Sequence, residues 1–73
     1  MKVDFNLNDY LNKRIEKVTA VKQETYNALI NVTKTIAELN IDEEKEILAN
    51  KMKYFSAVGA LSELEELKRL LNN

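Results

Sequence analysis

Cysteine, histidine and proline are absent from the 73 residues, and glycine occurs once, at Gly59. Without cysteine there is no disulfide, and without cysteine and histidine an ordinary zinc site is excluded. A chain this short buries only about 60% of its unfolded surface, so its usual supports are disulfides, a metal or self-association. Self-association is the support that remains. The lack of cysteine fixes no compartment.

Charge imbalance and long apolar runs are missing too. Lysine plus arginine is 11, aspartate plus glutamate is 12, and the net charge is −1. That is far from the basic balance of a domain that holds phosphates by charge, and it speaks against a nucleic-acid partner. No apolar run approaches the ~18 residues of a membrane span. Met1 to Tyr10 has no apolar core of signal-peptide length and carries Asp4 and Asp9. The expectation is a cytoplasmic protein without membrane contact. Charged residues at 32% beside 45% hydrophobic favour a folded chain over a disordered one.

What is present is an apolar seam. Alternate steps of four and three land on Leu11, Ile15, Val18, Lys22, Thr25, Leu29, Val32, Ile36 and Leu39, and only Lys22 and Thr25 are polar. This is the spacing of a heptad, and it predicts one long helix over about 8–39. Asn8 is the favoured N-cap, with Asn6 the alternative, because Asp9 then sits three residues on. Asn40 suits a helix end, and Asp42 suits the N-cap of a second helix over about 42–71. So short a connection makes the two helices antiparallel neighbours.

In the second helix Ile47, Leu48, Met52, Tyr54, Phe55 and Val58 share one arc of about 160°, the face expected to meet the first helix. Ala60, Leu61, Leu64, Leu67 and Leu71 centre about 150° away. Gly59 lies at the changeover, and Ser62 to Glu65 has the pattern of a capping box. The helix is therefore either bent but continuous, or broken near Gly59 to start a third helix. Glycine costs a helix only ~1 kcal/mol, which favours continuity. Facing residues should have numbers adding to about 81 by equal rise, setting Lys22 and Thr25 opposite Gly59 and Ser56.

The first residues behave differently. Val3, Phe5 and Leu7 alternate with polar residues, the period of an extended segment. This predicts an arm over 1–7 that lays its apolar side chains onto a groove, ahead of a single helical-hairpin domain over 8–73.

Catalytic chemistry has weak candidates. Glu43 with Glu46, and Glu63 with Glu66, form E-x-x-E pairs of the kind that hold magnesium in helical nucleotide hydrolases. On one helix the pairs point about 160° apart and lie about 30 Å apart by rise, which opposes a joint site. Acids in a first turn stabilise the helix dipole without any metal. Tyr26 and Tyr54 suit seam margins, where a ring packs and its hydroxyl stays wet. Lys13, Arg14 and Lys17 are interleaved with Glu16 and suit a solvated face. No base, nucleophile, cofactor or closed ligand set emerges, so a non-enzymatic protein is expected.

In composition alone, rich in Asn, Lys, Glu and Ile, the chain resembles the small orphan proteins of phages and mobile elements in low-GC bacteria. No motif carries that resemblance further. The five leucines from Leu61 to Leu71 exceed what one facing helix covers, and such strips mark interaction sites. The sequence thus predicts an all-α antiparallel hairpin that pairs into a four-helix bundle. It would act as an adaptor, inhibitor or assembly factor through Val3, Phe5, Leu7, Leu61, Leu64, Leu67 and Leu71. The alternatives are a nucleic-acid-associated regulator and, behind it, a carboxylate–magnesium hydrolase.

Overall fold

The computed structural model describes residues 6–72. Asn6 has extended backbone, and its side-chain oxygen accepts the Asp9 N–H at 3.2 Å, so it is Asn6 rather than Asn8 that caps the first helix. Helix α1 runs Leu7–Ile30, and helix α2 runs Ile41–Leu71 without a break at Gly59. Asn40, not Asp42, caps α2. Its carboxamide oxygen accepts the Glu43 N–H at 2.8 Å, while its own N–H donates to the Glu43 carboxylate at 3.2 Å. That reciprocal pair satisfies two donors a helix start leaves open. Ser62 is an ordinary residue inside α2. Of the expected arm, residues 1–5 fall outside the described residues, and Leu7 is already helical.

The first helix ends at Ile30, well short of the Leu39 its apolar spacing predicts. After Ile30 the chain leaves the helix and makes only one 3₁₀ turn, Ile36–Glu38, before α2. Val32, Thr33, Thr35 and Ile36 are β-branched and lose side-chain freedom in a helix. Polar contacts favour the alternative path. Thr35 Oγ1 donates to Glu38 at 2.9 Å, and Lys34 Nζ meets Glu43 at 2.8 Å, tying the connector to the start of α2.

The helices pack antiparallel along one seam each. On α1 the seam is Leu11, Ile15, Val18, Lys22, Thr25 and Leu29, all buried or half-buried, as the heptad spacing requires. On α2 it is Ile47, Asn50, Tyr54, Ala57, Leu61 and Leu64, again in steps of three and four. This corrects the expected inward arc: Leu48, Met52, Phe55 and Val58 all face out. A straight helix against a straight helix presents one stripe, so two half-faces 150° apart could not both meet α1. Val18, Ala57 and Leu61 form the centre, with Ile15, Ala60 and Leu64 packed against them.

The register is close to that expected by equal rise. The Tyr26 and Tyr54 rings lie 6.1 Å apart, and Asn72 reaches Asn8, so level residues have numbers adding to 80. Small residues do not line up as expected, however. Gly59 and Ser56 are exposed, and Ala57 is the small residue turned inward. Thr25 is buried, and its hydroxyl donates to the carbonyls of Val21 and Lys22 at 2.8 and 3.1 Å, so its polar atom is satisfied within its own helix.

The result is a single layer measuring 57 × 29 × 14 Å. Its radius of gyration is 17.0 Å, where a compact chain of this length would have about 11 Å. Its surface is 6111 Å², against about 4,600 Å² for a compact monomer of this mass. Domains bury their helices between two layers. This chain supplies one.

Candidate interaction surface

The seam leaves two broad faces open, on opposite sides of the hairpin. At 100° per residue, Tyr26 and Ile30 of α1 fall beside Leu48, Phe55 and Val58 of α2 on the first. Phe55 is 65% exposed, Leu48 59% and Ile30 58%. Tyr54 links this face to the seam: its ring meets Tyr26 on one side and packs edge-on against Phe55 at 5.3 Å on the other. Along this side α1 presents Asn8, Asn12, Thr19, Gln23, Tyr26 and Ile30, none of them charged. Aromatic side chains with few charges are the composition of an interface centre.

The second face holds an open groove. Its floor is Val18, Val21, Ala57 and Ala60, flanked by Met52 and Ser56, and its rim carries Arg14, Lys17 and Lys53. Two smaller clefts border the connector, one lined by Leu39, Ile47 and Asn50, the other by Ile36, Leu48 and Lys51.

The residues expected to form the interaction surface divide. Val3 and Phe5 lie outside the described residues. Leu61 is buried against Val18, and Leu64 packs on the same cluster, so both belong to the core between α1 and α2. Leu7, Leu67 and Leu71 are exposed at the open end of the hairpin, joined by Tyr10 and Leu70. Sequence reasoning missed Leu48, Met52 and Phe55 as surface residues because it placed them inside. The available signal was the α2 heptad from Ile47 to Leu64, which excludes all three.

One carboxylate of each pair is committed to a local partner. Lys34 takes Glu43 from the first E-x-x-E pair, and Arg69 takes Glu66 from the second. The Lys34 hydrogen bond, and next the Asn40 backbone N–H, hold the Glu43 carboxyl below the ordinary glutamate pKa. Among the described residues no three acids gather where one metal ion could bind them. No helix there is long and apolar enough to cross a membrane.

The fold and surface define a class: an all-helical hairpin with open apolar faces. Comparison with known protein families, with curated proteins and with solved structures finds no match to this chain.

Proposed function

We propose that the chain is a non-enzymatic protein-interaction module. It pairs with a second copy to form a four-helix bundle and holds a partner protein on its aromatic face. One observation carries this reading. Among the described residues fifteen large hydrophobic side chains are exposed while four apolar residues are buried, in a layer 14 Å thick. Exposed apolar area on that scale marks surfaces that other chains cover. A second hairpin laid on one face supplies the missing layer, and the other face stays open.

The aromatic face suits the partner. Tyr26, Phe55, Leu48 and Ile30 give a broad apolar area with an uncharged flank on α1, as in interface centres. The partner would be an adaptor target, an inhibited protein or an assembly component. Phe55→Glu tests this reading when purified protein is used to capture interactors from its host. The expected result is a captured protein that binds the wild type and is lost with the variant, while both remain equally helical. Equal capture by both would refute the assignment of this face.

A further inference from the structure

The pairing face is legible in the charges around the groove. We infer that the groove between α1 and α2 receives a second copy of the chain, related by a twofold axis parallel to the helices. This rests on the self-association proposed above and specifies its surface.

Such an axis places α1 of one copy over α2 of the other at the same level, with every neighbour antiparallel, as in four-helix bundles. Residues whose numbers add to 80 then meet between copies as well as within one. Lys17 comes level with Glu63 of the second copy, with Arg14 one turn away. Glu24 comes over Ser56, one turn from Lys53. Both pairings join opposite charges, and symmetry makes each occur twice. Within one hairpin these charges are not used: the ion pairs among the described residues are Lys34–Glu43 and Glu66–Arg69. At the centre Val21 would lie over Ser56 and Ala60, small residues that let helices approach closely. Toward the open end Tyr10 would cover exposed Leu67 and Leu71.

The area suffices. Helix α1 has 24 residues and spans about 36 Å, and two helices side by side are about 20 Å wide. Stacking hides about 700 Å² per copy, or about 1,400 Å² in all, within the range of stable specific interfaces. The aromatic face lacks this complementarity, because α1 contributes no charge there to set a register.

Charge reversal tests the arrangement. Lys17→Glu and Glu63→Lys alter exposed positions, and circular dichroism checks that each variant keeps its helices. Each alone sets like charges together at two symmetric sites and should weaken the dimer about tenfold. Mixing the two variants should restore wild-type affinity, because every contact between the copies again joins opposite charges. A repulsion confined to one hairpin could not be relieved by mixing. If wild type dimerises but both variants match it, or mixing restores nothing, the groove is not the pairing face. If wild type is itself monomeric in sedimentation, the self-association beneath this inference fails.

Discussion

Gly59→Ala should stabilise the protein, and the structure sets the size of the effect. Gly59 lies inside α2, is exposed, and has no positive φ that would favour glycine. A Cβ built there meets nothing within 4 Å. The substitution therefore adds no clash and removes backbone freedom from the unfolded chain. Alanine exceeds glycine in a helix interior by about 0.8–1.0 kcal/mol. For a domain of this size, each kcal/mol moves the melting temperature by about 4–8 °C. Thermal unfolding followed by circular dichroism, at matched protein concentration, reads that shift. A lower melting temperature would refute the reasoning. It would mean that another chain packs its backbone directly against Gly59, moving the assembly interface from the groove to the outer ridge of α2.

Leu11 is 2% exposed and Leu29 half-buried, so Leu11→Ala should cost about 2–3 kcal/mol and Leu29→Ala about 1 kcal/mol by urea unfolding. Equal losses would mean that burial along the seam is uniform. Thr25→Val keeps the side-chain shape and removes a hydroxyl bonded only within α1, so stability should change by less than about 1 kcal/mol. A loss above about 2 kcal/mol would show that the hydroxyl bonds across to α2. Glu43 has a lowered folded pKa, so its contribution is present above the ordinary glutamate value of about 4.3 and is lost as pH falls through the folded value. Unfolding free energies measured from neutral to acid pH should fall less steeply for Lys34→Ala than for wild type. Parallel curves would show that this ion pair does not contribute.

The antiparallel pairing was legible because helices joined by a short connection fold back on each other, the α1 heptad from Leu11 to Leu29 marks the face they share, and equal rise then sets the register. The end of α1 was not. Val32, Ile36 and Leu39 continue the apolar period past Ile30, and period alone carries no information on side-chain freedom. The β-branched run after Asn31 opposes the helix, while Lys34 gains Glu43 only when the connector lies beside α2. The favoured caps, Asn8 and Asp42, each lie two residues past the observed ones, Asn6 (the stated alternative) and Asn40, since Asn, Asp and Ser near a boundary all offer an acceptor, and backbone geometry selects among them. The inner face of α2 was misplaced because hydrophobicity was equated with burial. Ala57 is small enough to let the helices approach, so it lies inside while Phe55, far more apolar in area, lies outside. Residues left outside in this way are the ones the proposed assembly would cover, and a single-chain pattern does not separate those from the core.

Mass in solution tests the central claim most directly. Light scattering on the intact chain at micromolar concentration should give twice the 8.4 kDa chain mass, because the proposed second copy would complete a single layer with this much exposed apolar surface. A mass of one chain that holds as concentration rises, with α1 and α2 still fully helical, would contradict it.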